Sequence, residues 1–358
     1  AQEDIDFSNL TMRQRARMLY MAAPMATSAI KANRTNVVGP GLILSAKVDR
    51  EVLGMTPEQA EQWQRTTEKE FALWADNRTA CDAIGLNDFY ELQQLALMSW
   101  LVSGDVFCLF KGGARSQSNP YDLCLHLIEA DRVATPTTWK ATGLSLTEGK
   151  NTKTGNYIHD GVEVDSSGRV VAYHIRSTYP FELTLKEADW TRIEATGKET
   201  GMPNILQIFD AERPDQYRGV SYLAQVIEPL LQVRRYTEAE ITAAMIESCF
   251  AGFITTEARP DEMPMNETGE VEPDEPSDPN EFSYGAGEFN TLKPGEGITF
   301  VDPKRPSSGF PAFTRSIAEL IGAALEIPAD ILLKAFNASY SASRGALLEA
   351  WKGFRMRR

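Results

Sequence analysis

Apolar residues recur at helical spacing along several stretches of the chain, and the clearest lies between residues 88 and 104. Asp88 is a helix-capping residue, a strongly apolar run follows it to about Ser103, and Gly104 stands where helices commonly end. The next segment, Asp105–Lys111, has the composition of a strand. We therefore predict a helix that ends at a glycine and packs against the strand that follows it.

Other helices follow from the same kind of pattern. Pro57 suits a first helical turn, and we predict that one face of this helix lies in the core. That face carries Trp63, Thr67, Phe71 and Trp74. A long helix is predicted from about Ser221 to Cys249, with Pro229 as a kink. A second amphipathic helix covers about 313–325, where Pro328 stops it, and the last helix begins at about Ser343.

Period-two patterns place strands in the first half of the chain. Residues 121–127 alternate between apolar and polar side chains, which predicts a strand with one exposed face. Val162–Val164 and Val170–Ile175 are predicted to pair as a hairpin across the turn at 165–168. Residues Val37–Val48 also have the composition of a strand. Helices and strands in this order predict an α+β protein. A chain of 358 residues is long enough to divide, so we expect two or three folding units.

Charge is concentrated in two segments of opposite sign. The chain has 36 basic and 50 acidic residues, a net charge of −14, which is unfavourable for a protein that simply coats DNA. Residues 257–288 contain eleven acids against Arg259 alone, together with five prolines. We predict a projecting loop there, and a solvated linker between two domains is the alternative.

The basic segment lies near the start of the chain. Residues 11–35 contain no acid, and their cations are Arg13, Arg15, Arg17, Lys31 and Arg34. The segment is interpreted as a basic arm or first helix over about 1–36, and a solvated helix face is the alternative reading. Such a helix could meet an acidic surface on a neighbouring molecule.

The residues that usually carry catalysis are sparse. The three histidines, His126, His159 and His174, have no metal-binding spacing, and no phosphate-binding loop motif occurs. No histidine follows Ser221 in the chain, so a serine nucleophile at that position would lack its base. The four cysteines form no CxxC pair, and no apolar run is long enough to span a membrane. We therefore expect no enzyme, no cofactor, no metal and no membrane partner.

Several motifs, taken in order, resemble the portal proteins of tailed bacteriophages, in the family typified by phage lambda. The motifs are Asn36–Gly41 after the basic helix, Leu127–Arg132, Gly161–Val164 with Gly168–Tyr173, Glu212–Val220, Ala324–Pro328, Tyr340–Arg344 and Ala346–Trp351. They are distributed over most of residues 10–358. Each motif alone is weak, but their number and order make a chance match improbable.

This resemblance implies a portal fold and an architectural function. It implies a ring, of twelve subunits in this family, at one capsid vertex of the virion, around a channel for double-stranded DNA during packaging and ejection. An α/β wing would cover 37–210, stem helices 221–249 and 313–325, a clip 250–312 and a tunnel loop 327–343. Residues 344–358 would begin a wing or crown helix, and the rest of a helical crown would follow Arg358.

The resemblance also implies partners and DNA contacts. The partners would be the terminase large subunit, the major capsid protein and a head-tail adaptor protein, and the assembly would form in the host cytoplasm. The expected DNA-contact residues of the tunnel loop are Lys334, Asn337, Ser339, Tyr340, Ser341, Ser343 and Arg344. Alternatively, Lys334 and Arg344 serve only subunit packing. For the whole protein, a hydrolase that uses acidic residues or a monomeric DNA-binding adaptor remain the competing hypotheses.

Overall fold

A computed structural model describes residues 2–113, 119–139, 148–180, 188–249, 253–256, 296–299, 309–336 and 339–358. The chain divides into two compact units, one of residues 1–233 and 314–358 and one of residues 234–313. The described α-helices are α1 (Gln2–Ala22), α2 (Pro24–Asn33), α3 (Arg50–Leu53), α4 (Pro57–Ala75), α5 (Arg78–Cys81), α6 (Phe89–Ser103), α7 (Ile227–Cys249), α8 (Phe310–Ala324), α9 (Ala329–Leu333) and α10 (Tyr340–Arg357). The described strands are β1 (Asp105–Lys111), β2 (Cys124–Glu129), β3 (Glu148–Lys150), β4 (Tyr157–His159), β5 (Val162–Val164), β6 (Val170–Arg176), β7 (Trp190–Glu194), β8 (Ile205–Phe209), β9 (Phe253–Thr256) and β10 (Glu296–Thr299).

The boundary between α6 and β1 confirms the prediction from the apolar run. The Asp88 side chain accepts a hydrogen bond from the Glu91 backbone N–H at 2.8 Å, and the Glu91 side chain accepts one from the Asp88 N–H at 3.0 Å. This reciprocal pair satisfies two backbone donors at the helix start. Gly104 then adopts a φ of 93°, which favours glycine, and β1 begins at the next residue.

Two antiparallel sheets form the β-rich part of the larger unit. One has three strands in the order β2-β1-β8, and the other is a five-stranded meander in the order β3-β4-β5-β6-β7. The predicted hairpin is confirmed as β5 and β6. Its turn is held by the Asp165 carboxylate, which accepts hydrogen bonds from the Ser167 and Arg169 backbone N–H groups, and by Gly168 at a φ of 82°.

Apolar burial joins these elements in three clusters. The sheets share one cluster that includes Phe107, Ile128, Val162 and Tyr173. A second cluster packs α4, α5 and α6 against the outer strand β2. The largest cluster is helical and contains residues of α1, α2, α6 and α10, together with Leu223–Leu230 and Ala318–Ile327. The first helix of the chain is therefore part of the folded unit.

The smaller unit contains the second part of α7 and an antiparallel pair formed by β9 and β10. The Tyr236 ring packs against the Phe310 and Phe313 rings, with centroids 5.7 Å and 4.4 Å away. The acidic segment 257–288, for which we predicted a projecting loop, lies outside the described residues.

The strand predicted at Val37–Val48 is wrong. Residues Arg34–Val38 form a π-helical turn, and residues 41–49 have no strand partner in the described structure. Side chains satisfy that backbone instead: the Leu42 N–H donates to Gln93 and the Ala46 N–H donates to Glu68. The β-branched residues of this segment therefore indicated an extended backbone correctly. The segment does not join a sheet because none of the described strands lies beside it.

Two smaller predictions also need correction. Trp74 of the aromatic stripe is buried, but Trp63 is 46% exposed, because the first half of α4 extends beyond the apolar cluster. Pro229 does not lie inside a helix that starts at Ser221, since α7 begins at Ile227 and the proline is in its first turn. The missing N–H of a proline is tolerated there because the first four N–H groups of a helix have no helical partner.

Candidate functional site

The segment expected to face DNA begins where the chain turns back after α8. The Ile327 N–H donates to the Gly322 carbonyl at 2.8 Å, and Glu326 adopts a φ of 54° to make the turn. A Cβ on Gly322 would lie 2.4 Å from the Ile327 carbonyl oxygen, so only glycine allows this close approach. Ile327 itself is buried, which fixes the start of the segment against the helical core.

Lys334 lies at the C-terminal end of α9, and the helix is held by hydrogen bonds and by a buried side chain. It adopts a left-handed φ of 53° and caps the helix through its backbone N–H, which donates to the Ile331 carbonyl. The Ser28 hydroxyl of α2 donates to the Leu332 carbonyl at 2.7 Å, and the Leu332 side chain is buried. α9 is thus held on α2, and the Lys334 side chain is exposed.

The remaining predicted contact residues follow a short connection after α9. Ser339 lies at the N-cap of α10, and Tyr340, Ser341, Ser343 and Arg344 lie in the first turns of that helix. Arg344 is exposed, Ser343 is half-buried, and Asn337 lies outside the described residues. The predicted loop 327–343 therefore contains a short helix, and the last helix starts at Tyr340, three residues earlier than we predicted. Its roles as a DNA channel and in subunit packing stay predictions.

A buried ion network joins the β-sheets to the chain segment that follows β8. Arg218 is fully buried, and its guanidinium donates to both oxygens of Asp105, at 2.6 Å and 3.1 Å. It also pairs with the Asp160 carboxylate at 2.7 Å and donates to the carbonyls of Ala130 and Val133. Burial alone would raise the pKa of Asp105, but the nearby arginines and hydrogen bonds outweigh it and lower the pKa.

The N-terminal helix joins this network. Arg13 is 1% exposed and pairs with Asp160 at 2.9 Å and with Asp131 at 3.4 Å, while Arg17 pairs with Glu129 and Asp131. The alternative reading of the basic segment as a solvated helix face is therefore wrong for these two arginines. Arg13 and Arg17 form ion pairs within the subunit. They are therefore not available to bind an acidic surface on a neighbouring subunit, which was the contact that we expected.

The structural role of Arg218 is not evident from the sequence. The segment Glu212–Val220 contains two arginines, and the sequence does not indicate that Arg218 is buried while Arg213 is exposed. Arg218 and Asp105 are 113 positions apart in the chain. A local sequence pattern cannot indicate an ion pair between residues so far apart in the chain.

A second buried carboxylate ties the five-stranded sheet together. Glu163 of β5 accepts hydrogen bonds from Arg192 of β7 and from Asn151, Thr154 and Asn156, and its Oε2 lies 2.9 Å from His174 Nε2 of β6. Burial opposes ionisation, but these donors dominate and lower the pKa of Glu163 to about 2. Burial also lowers the pKa of His174, against the effect of Glu163.

We predict that acid destabilises this sheet through Glu163. A carboxyl whose folded pKa is lowered contributes stability above its unfolded pKa near 4.5, and that contribution is lost as pH falls towards 2. The whole contribution is on the order of 3 kcal/mol, and the part lost between pH 7 and pH 3 should be about 2 kcal/mol. Urea unfolding between pH 7 and pH 3 would measure it, with Glu163→Gln flattening the dependence and Glu199→Gln, on an exposed turn, leaving it unchanged. Equal slopes in the wild type and in Glu163→Gln would contradict the prediction.

No constellation for catalysis emerges from the described residues. The three histidines lie on strands β2, β4 and β6, as expected for structural residues. Within the described ranges, no group of three or more His, Cys, Asp or Glu residues is arranged to hold a metal ion. Cys81, Cys108 and Cys124 are buried free thiols. None of the helices described is both long and apolar enough to cross a bilayer.

This fold also occurs in solved structures of the neck of another kind of particle. The chain matches a protein in the neck of a native gene transfer agent (GTA) particle, computed with C12 symmetry, with a TM-score of 0.51 and 13% identity over 96% of this chain and 75% of that one. A match to the neck of an empty GTA particle, computed with C6 symmetry, has a TM-score of 0.54 and 15% identity, covering 96% and 75% of the two chains. At these identities the likeness establishes the fold.

The chain belongs to the lambda family of phage portal proteins, since the model of that family matches residues 1–358. It is similar to a probable portal protein of Halomonas phage phiHAP-1, with 27% identity over 321 residues. That match covers 88% of this chain and 56% of the relative, so the chain spans little more than half the length of that protein.

Proposed function

We propose that the protein is a structural subunit of the portal vertex in a phage particle, where a ring of subunits surrounds a channel for double-stranded DNA. The observation that carries the proposal is the family match over the whole chain. The fold shared with neck proteins of GTA particles supports it. Molar mass measured by light scattering, with electron microscopy, tests it: a closed ring is expected, and a monodisperse monomer would contradict it.

A dodecamer is the ring size that we propose. The related neck structure computed with C12 symmetry supports twelve copies, and C6 symmetry is a subgroup of the same arrangement. A ring needs heterologous contacts, in which two different surfaces of each subunit meet those of its neighbours.

The subunit regions are proposed along the lines of the family. The wing is 37–210, the stem helices are 221–249 and 313–325, the clip is 250–312 and the tunnel loop is 327–343. A compact unit at residues 234–313, distinct from the rest, is compatible with a projecting clip and the adjoining parts of the stem helices. The segment 1–36 is proposed as the basic N-terminal arm or helix, and its helices α1 and α2 contribute residues to the helical cluster of the larger unit.

The protein is proposed to act without catalysis. Energy for DNA movement would come from the ATPase of a terminase large subunit docked at the clip, and the capsid and adaptor proteins would bind other faces of the ring. An isolated ring is expected to show no ATP turnover. The non-catalytic role would be contradicted if the isolated ring hydrolysed ATP and a point substitution in this chain abolished that activity.

Weak contact with phosphates suits the proposed channel. Each phosphate neutralised by a cation adds salt-sensitive affinity, so a densely basic wall would hold the duplex and slow its passage. The tunnel segment instead offers Lys334 and Arg344 as exposed cations, with hydroxyl groups between them. Contacts of this kind position a backbone without reading sequence.

We predict that the double variant Lys334→Ala/Arg344→Ala assembles normally but packages or retains DNA differently. Both side chains are exposed, so their loss should cost less than about 0.5 kcal/mol of subunit stability. Ring mass and the length of packaged DNA are the measurements. The matched control is Arg169→Ala/Lys198→Ala, which removes two exposed cations from turns of the five-stranded sheet. Failure to assemble, or packaging of the full genome as in the wild type, would contradict the tunnel role.

A further inference from the structure

The proposed tunnel loop starts at a strained turn. Glu326 adopts a φ of 54°, a left-handed conformation that is unfavourable for a residue with a Cβ. Such a conformation persists only where the surrounding structure holds it in place. The flanking side chains of Leu325 and Ile327 are at most 1% exposed, so they anchor the turn on the helical core. The direction in which the chain leaves the turn needs further contacts.

Apolar packing does not surround this turn on all sides. Two grooves, of about 640 and 680 Å³, are both lined by Glu326 together with Ala323, Gly353 and Met356. Pro328, the second residue of the tunnel loop, also lines the smaller groove. Because close packing is missing beside these grooves, directed polar contacts have to hold the turn there.

Tyr222 supplies the first of these contacts. Its hydroxyl donates a hydrogen bond to the carbonyl of Leu325, which holds the peptide group that leads into the turn. The Tyr222 backbone N–H donates to the Leu101 carbonyl of α6 at 2.9 Å, and the adjacent Ser221 hydroxyl donates to the same carbonyl at 3.3 Å. The tyrosine is thus fixed to α6 by its backbone and reaches the turn with its side chain.

Arg357 of α10 supplies the second contact. Its guanidinium lies over the Tyr222 ring, 4.8 Å from the ring centre, and pairs with the Glu326 carboxylate at 3.0 Å. It also donates to the side-chain oxygen of Asn33, a buried residue of α2, at 3.2 Å. The Glu326 side chain is 66% exposed, so the ion pair alone is weak. Stacking on Tyr222 and the bond to Asn33 therefore fix the guanidinium beside the turn.

We infer that Tyr222 and Arg357 are positioning residues for the tunnel loop, because they set the direction in which it leaves the turn and thereby the place of Lys334. The inference rests on the function proposed above, in which this loop contacts DNA. Polar contacts tie both ends of α9 to α2: the Ser28 hydroxyl binds near its C-terminal end, and Asn33 receives Arg357 at the turn that precedes it. Loss of the second tie leaves α9 held by polar contacts at one end only.

Amide hydrogen exchange on assembled rings of the full chain tests whether these contacts position the loop. Tyr222→Phe removes only a hydroxyl, and Arg357→Met removes the guanidinium. Each should raise exchange about fivefold in peptides that cover 325–336, the size expected for one lost hydrogen bond, without a change in the sheets. The matched controls are Tyr217→Phe, whose hydroxyl bonds the β5–β6 turn, and Arg355→Met, an exposed arginine of α10. Both should leave exchange at 325–336 unchanged.

DNA packaging separates positioning from a merely structural role. Tyr222→Phe should form rings of wild-type mass, yet change the length of packaged DNA in the same direction as Lys334→Ala/Arg344→Ala. The inference alone is overturned by unchanged exchange at 325–336, by exchange raised equally throughout the chain, or by loss of assembly in both variants. Normal packaging by Tyr222→Phe, where the double variant packages abnormally, overturns it too. A wild-type chain that forms no ring, or a double variant that packages normally, contradicts the proposed function or its tunnel role instead.

Discussion

Replacing Arg218 with methionine should lower the free energy of unfolding by about 3–5 kcal/mol and, through it, prevent ring assembly. The guanidinium is fully buried and pairs with Asp105 and Asp160. Methionine fills similar space but leaves the Asp105 carboxylate buried beside an apolar group, and the carbonyls of Ala130 and Val133 lose a donor. Urea unfolding followed by circular dichroism measures the loss, and molar mass reports assembly.

Two further variants test whether the loss of stability comes from the unpaired Asp105 carboxylate rather than from the removal of any arginine. Arg169→Met removes an exposed arginine and should change stability by less than about 0.5 kcal/mol. The double variant Asp105→Leu/Arg218→Met removes both members of the closest pair, and it should recover part of the stability because no carboxylate is stranded at position 105. A loss below about 1 kcal/mol for Arg218→Met would contradict the role of the network as a support of the fold.

Gly219→Ala should destabilise the protein by about 3 kcal/mol or more, although it adds a single methyl group. A Cβ at this position would lie 1.8 Å from the Gly104 carbonyl oxygen and 2.4 Å from its carbon. Both obstacles are backbone atoms, so relief requires that the turn between α6 and β1 move away from the segment that carries Arg218. That movement would also disturb the hydrogen bond from the Gly219 N–H to Asp105.

Gly345→Ala is the matched control for this substitution. Gly345 lies within α10, and a Cβ there would meet nothing within 4 Å. Alanine should therefore raise stability by about 0.5–1 kcal/mol through helix propensity. Thermal unfolding of both variants checks the opposite signs. If Gly219→Ala unfolds at the wild-type temperature, the backbone contact at Gly104 is not a constraint on the fold.

Local sequence signals were sufficient wherever a structural element is determined by its own residues. The capping pair at Asp88 and Glu91 and the glycine at 104 set both ends of α6, and the turn at Asp165–Gly168 set the β5–β6 hairpin. The apolar period at 313–325 likewise located α8. In each case the interactions that fix the element act over a few residues, so they can be read from the pattern.

The candidate site was predictable only in part. The sequence located the segment after Pro328 and its cations, and the structure has Lys334 and Arg344 exposed there. It did not reveal α9, because a five-residue helix depends on its anchors, the Ser28 hydrogen bond and the buried Leu332, rather than on its own propensity.

Only the tertiary structure determined the backbone partners of the extended segment 37–48 and the ion-pair partners of the basic helix α1. The composition of Val37–Val48 allowed a strand, but a strand needs a neighbour, and the fold instead places Gln93 and Glu68 against that backbone. The sequence determined that residues 11–35 are basic and helical. It did not reveal that Arg13 lies on the inward side of α1 beside the buried apolar residues Ala16 and Leu19, because burying an arginine is tolerable only where carboxylates such as Asp131 and Asp160, more than 100 positions away, meet it.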